Sequence, residues 1–209
     1  MAMNEKDRSV LFLEILNLEG LNQDDERAAA RVLKDYLRAL DRIVFEHGGR
    51  LETGAGDRHL ALFSEVVGAV SCGLAVGKEF GLRNAAVPDY RRVAWRMGVG
   101  LGEVREDRGL WEGGGVRAAE TAGGLACGDE LCVTQAAAER LRQGPEAAAG
   151  FEIEAVEGAG WGPRAVFRLR PTIGPIRRRS PGRPRGLWAA LLVVLGLAVA
   201  LAALWKGLR

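Results

Sequence analysis

The sequence predicts an α+β fold, a ferredoxin-like sandwich in which helices cover one face of a largely antiparallel sheet, followed by one C-terminal transmembrane helix. Within the first 170 of 209 residues, strand-length apolar runs and amphipathic helical stretches follow one another as βαββαβ, then αβα and a closing hairpin. Charge is segregated. All 27 acids lie before Pro171 and seven bases lie after it, so residues 1–170 carry a net charge of −5 and the tail +7. Finally, residues 187–205 are nineteen in a row without a charge. At ~1.5 Å per residue a helix of that length spans about 28 Å, close to the thickness of a bilayer core.

Residues 9–16 (SVLFLEIL) form an apolar run with one carboxylate, Glu14, which suits a central strand buried on both faces. Residues 22–46 read as a helix with acids in its first turn and a stripe of Val32, Leu33, Tyr36, Leu37, Leu40, Ile43 and Val44. His47-Gly48-Gly49 closes it in the manner of a glycine C-cap. Short strands at 50–53 and 59–63 flank Gly54-Ala55-Gly56-Asp57, a hairpin turn with Asp57 at its tip. Ser64 can N-cap a second helix, 65–80. A strand at 93–104 is interrupted by alternating glycines (MGVGLGEV), and a Gly-rich loop (EGGGV) leads to a short helix, 116–125. A buried strand at 131–134, a helix at 135–142 and a hairpin of 151–156 with 164–170 complete the domain.

Several function classes are excluded at this level. With 27% charged and 48% hydrophobic residues the chain is neither disordered nor fibrous, and a net charge of −5 on residues 1–170 disfavours a nucleic-acid-binding domain, which needs a basic face. Cys72, Cys127 and Cys132 are too few for a disulfide framework and read as small buried thiols. A zinc site from Cys127 and Cys132 with His47 and His59 is the weaker alternative. In the tail, Trp188 and Trp205 sit near the ends of the span, five arginines precede it and two bases follow it. By the positive-inside rule, the expectation is a single-pass protein of the cytoplasmic membrane with its N-terminal domain in the cytoplasm. A buried core helix is the alternative for 187–205. No apolar stretch of signal-peptide type follows the N-terminal charges. The expected organisation is a domain at 1–170, a Pro/Arg-rich linker at 171–186 held close to anionic inner-membrane lipids, the span, and a short tail at 206–209.

Five segments, in order, resemble the catalytic domain of the class III adenylate/guanylate (nucleotidyl) cyclases. VLFLEILNLEGL resembles the first strand and metal loop of that family, and EHGGRLETGAGDRHLALF its hairpin. WRMGVGLGEV resembles a strand of the type RIGI-x-GEV, GGGVRAAETAGGLACGDELCVT the nucleotide-contacting helix and the strand after it, and WGPRAVFRL the closing strand. The resemblance covers about residues 9–170 and implies a dimeric domain that binds a nucleoside triphosphate, with Mg²⁺ or Mn²⁺ held by two carboxylates. Those positions are Glu14, where the family has Asp, and Asp57. The bland readings are a turn residue for Asp57 and a lone acid at the sheet edge for Glu14.

The rest of the implied site is degenerate. The transition-state Asn/Arg pair of the family falls on Arg117 and Thr121, or in a register one residue shorter on Val116 and Glu120. Neither keeps the pair. The base-selecting Lys is replaced by Thr53, its partner acid falls on Gly113 or Gly114, and the glycine after the hairpin acid is Arg58. Losing one preorganised charge stabiliser costs ~2.7–4 kcal/mol, so no catalytic residue is assigned and a homodimer is expected to be a very poor enzyme. Two roles follow: a membrane-anchored pseudoenzyme that dimerises and regulates in signalling, or the metal-donating subunit of a heterodimeric cyclase whose partner supplies Asn, Arg and Lys. Arg58 and Arg117 read as solvated surface arginines or as a phosphate contact. Were Arg58 to fold toward Asp57, it would compete with Mg²⁺.

Overall fold

β1 (Lys6–Ile15) is the centre about which the domain is organised, pairing antiparallel with β3 (Arg58–Phe63) on one side and with β4 (Trp95–Asp107) on the other. The computed structural model describes residues 6–17, 26–52, 56–144, 151–156 and 165–171, and the expected linker, span and tail, 172–209, lie outside these. Pro171 belongs to the last strand rather than the linker. The sheet has eight strands: β2 (Arg50–Leu51), β3, β1, β4, β6 (Leu131–Thr134), β8 (Val166–Pro171) and β7 (Phe151–Ala155) in spatial order, with β5 (Leu110–Glu112) paired to the far end of β4. Among the described residues only β4 and β6 pair in parallel. This is the expected α+β sheet.

Side chains alternate across β1, and the alternation decides where the helices go. Leu11, Leu13 and Ile15 enter the main core with residues from α1 (Glu26–Glu46), α2 (Val66–Ala85) and α4 (Gln135–Gln143). The expected stripe of α1 is the face that packs there: Tyr36, Leu40, Ile43 and Val44 are buried, with Val32, Leu33 and Leu37 beside them. Val10 and Phe12 point the other way. They form a second core with Leu60, Trp111, Val116 and Ala119, the last two from α3 (Gly114–Gly124). The expectation that helices cover one face is therefore corrected: three lie on one face and α3 on the other.

Glycines make the second packing so close. Gly98, Gly100 and Gly102 alternate along β4 and face α3, and a Cβ on Gly98 or Gly100 would collide with the backbone of Ala119. Helix and strand meet backbone to backbone, which any larger residue would prevent.

Smaller corrections have local causes. Glu65, not Ser64, is the N-cap of α2, and its side chain makes no capping hydrogen bond. α2 continues to Ala85, where Asn84 holds it to the next strand: its Oδ1 accepts from Val93 N (2.9 Å) and from the Tyr36 hydroxyl (2.8 Å), and its Nδ2 donates to Val93 O (3.0 Å). β5 was not foreseen. Its three residues read as the approach to a loop, and pairing with β4 defines them.

Candidate functional site

Register places Glu14 between two arginines. It lies opposite Arg58 of β3 and opposite Arg96 of β4, and directly opposed residues bring their Cβ atoms within ~5 Å. Both close on it. Arg58 Nε donates to Oε1 at 3.2 Å, while Arg96 donates to Oε2 through Nε at 2.6 Å and approaches it through Nη2 at 2.5 Å. The Glu14 side chain is only 9% exposed, against 27% for Arg96 and 61% for Arg58. Arg96 also reaches the carbonyl of Gly124 (3.3 Å), tying the clamp to the last turn of α3. Charge-assisted bonds of this kind to a shielded carboxylate are the strong ones.

Asp57 lies at the same end of the sheet. Its carbonyl accepts from Ile15 N (2.8 Å), one residue beyond Glu14, and its side chain is exposed with no ion pair among the described residues. Arg58 does not take the alternative of folding toward Asp57: its side chain is largely solvated and its Nε goes to Glu14. Next along β3, His59 is 4% exposed and its Nε2 has no hydrogen-bond partner among the described residues. Burial pushes its pKa down, against the opposing pull of the Asp57 carboxylate.

These residues do not fit a two-metal site. A hard divalent cation needs carboxylate oxygens with uncompensated charge. Both oxygens of Glu14 carry guanidinium donors, and the charges of Arg58 and Arg96 offset those of Glu14 and Asp57. Among the described residues no group of three or more His, Cys, Asp or Glu is placed to hold a metal. Of the three thiols expected to be buried, Cys72 and Cys132 are, and burial pushes them up to about 12 and about 11; Cys127 is exposed, which corrects that expectation.

On α3, Arg117 and Thr121 share the exposed face, with the Thr121 hydroxyl donating to Arg117 O (2.7 Å). Val116 is 6% exposed and belongs to the second core, so the register that put a site residue there places it inside the protein. Gly113 has φ 133°, and a Cβ there would strike the Glu103 carbonyl; Gly114 opens α3 in free space. Neither supplies an acid. Thr53 lies outside the described residues, but its neighbour Glu52 accepts from Trp111 N at 2.8 Å and links the hairpin to β5.

Arg96 and Glu52 are the residues that sequence reasoning missed. For Arg96 the signal was present in the register of WRMGVG against SVLFLEIL, had the strands been aligned residue by residue.

The domain has close structural counterparts. An adenylate/guanylate cyclase/hydrolase from Silicibacter pomeroyi superposes with a TM-score of 0.66 at 20% identity, covering 81% of this chain and 99% of that one. The adenylyl cyclase CyaB from P. aeruginosa gives 0.67 at 17%, covering 82% and 97%, and the guanylyl cyclase Cya2 gives 0.66 at 17%, covering 85% and 98%. The fold is that of the class III cyclase domains. In sequence, the cyclase-fold domain is 30% identical over 113 residues to "Putative adenylate cyclase 3" of Rhizobium meliloti (strain 1021), a match covering 53% of this chain and 19% of that protein. It is also 30% identical over 98 residues to "Serine/threonine-protein kinase pkn2" of Myxococcus xanthus, covering 45% and 12%. The chain thus spans about a fifth or less of the curated relatives it matches. No protein-family profile matches it.

Proposed function

We infer that the chain is a nucleotidyl cyclase homology domain that has exchanged its metal site for an internal ion pair and acts as a membrane-anchored, dimerising regulatory pseudoenzyme in signalling. The observation that carries this reading is the clamp of Arg58 and Arg96 on Glu14. Two guanidinium groups supply the positive charge that divalent cations would bring, without the Lewis acidity that lowers the pKa of an attacking hydroxyl. Arg117 and Thr121 in place of an Asn/Arg pair point the same way. The metal-donating subunit of a heterodimeric cyclase is the second reading, and the same clamp counts against it because it occupies the carboxylate that such a subunit would contribute.

The test is a Mn²⁺ titration of the full chain in neutral detergent, followed by electron paramagnetic resonance, with product analysis after incubation with ATP or GTP. The expected result is no saturable Mn²⁺ binding and no cyclic nucleotide. Saturable binding should appear in the Arg58→Gly/Arg96→Gln double variant and vanish again on adding Glu14→Gln. Metal-dependent cyclic nucleotide formation by the unaltered chain, or Mn²⁺ binding already lost on Glu14→Gln alone, would overturn the reading.

A further inference from the structure

The opposite end of the sheet carries a second cluster of arginines, around a cleft of about 390 Å³. Arg8 on β1 lies across from Gly102, whereas Glu14 lies across from Arg96, so the two places are six residues apart along one strand, on the order of 20 Å. Arg8, Arg50 and Arg105 line the cleft, against one acid, Glu106. A volume of this order suits a small organic ligand.

The arginines differ in how far their charge is already answered. Arg50 pairs with Glu106 at 2.9 Å and stacks over the ring of Trp111 at 4.7 Å, which orients its guanidinium. Arg105 makes only a 3.8 Å approach to Glu112, with both side chains at least half exposed, a pair worth little in water. Arg8 is half buried and has no hydrogen bond or ion pair among the described residues. A half-buried cation without a partner, beside two oriented or weakly paired ones, is an arrangement that awaits an anion. Ser64 adds a hydroxyl, and Leu62, Phe63 and Trp111 give the cleft an apolar wall.

We propose that this cleft binds a small phosphorylated ligand, Arg8 and Arg105 meeting the phosphate and the apolar wall receiving the organic part. Planar guanidinium forks match phosphate oxygens in pairs, and two of them at one opening favour a multiply charged group over a single carboxylate. The site does not depend on the Glu14 end of the domain, and it provides a place where a soluble phosphorylated metabolite or a phosphorylated lipid headgroup would act on the fold.

The full chain in neutral detergent is titrated with inorganic pyrophosphate and, separately, with inositol trisphosphate as a soluble lipid headgroup, by calorimetry. Saturable binding of at least one is expected, weakened on the order of tenfold or more by Arg8→Gln and unchanged by Arg38→Gln on the exposed face of α1. The tighter probe assigns the source. Because Arg8 holds no other residue in place, Arg8→Gln is expected to keep the thermal midpoint of the parent. As a second probe, Arg105→Gln should weaken binding without unfolding the domain. Absence of saturable binding to both probes, or equal binding by the parent and Arg8→Gln, overturns the proposal.

Discussion

Glu14 is held from both sides, and the asymmetry of its two partners decides what each substitution does. Arg96 is the less exposed partner and also braces Gly124, so Arg96→Gln leaves a shielded carboxylate with only a largely solvated arginine beside it. A loss of about 1–3 kcal/mol is expected from urea denaturation, with a smaller loss for Arg58→Gln. His59 makes a different prediction, in pH. Its folded pKa lies below that of the unfolded chain, so the unfolded state takes up the proton first. Stability should therefore be full above the unfolded value of ~6.5 and decline as pH falls through it toward the folded value. Thermal unfolding between neutral and mildly acidic pH would show this decline in the parent and a flatter profile in His59→Leu. Equal profiles would remove His59 as the cause.

The elements divide into those whose periodicity announced them and those made by contact. β1, α1 and β6 were legible because each carries an apolar run or stripe that packs into the core, although Leu16, read as the end of the first run, lies beyond β1 and is 45% exposed. The position of α3 was not. Its sequence has helical spacing, with Val116, Ala119 and Ala122 buried and Arg117 and Thr121 exposed, but which face of the sheet it covers is set by the facing glycines of β4, a complementarity between segments that no local window contains. The site behaved in the same way: Glu14 and Asp57 stood out singly, while the arginine clamp exists only through strand register. Gly100→Ala tests the α3 packing. Its Cβ would collide with the backbone at Ala119 and lie 2.6 Å from Gly115 O, so either α3 moves away or the sheet bends. A loss of about 3 kcal/mol is expected in denaturant titrations. Gly81→Ala, on α2 with open space around it, should be neutral or stabilising.

For the whole molecule, the proposed anchor makes a prediction of its own. Removal of residues 187–209 should transfer the chain from the carbonate-resistant membrane fraction to the soluble fraction. A full chain that carbonate releases would reject the span. Among the described residues no helix is long and apolar enough to cross a membrane, so the test falls entirely on that tail. The order of the strands has a further consequence, for biosynthesis. β8 lies between β6 and β7 and is built from the last described residues, Val166–Pro171. Until the ribosome has released that stretch, β6 presents bare amide and carbonyl groups along one side, and the nascent domain is open to pairing with a neighbour on the same polysome. A stop codon placed before residue 166 should therefore yield aggregates rather than a smaller folded domain, and chaperone engagement during translation should persist until β8 has emerged.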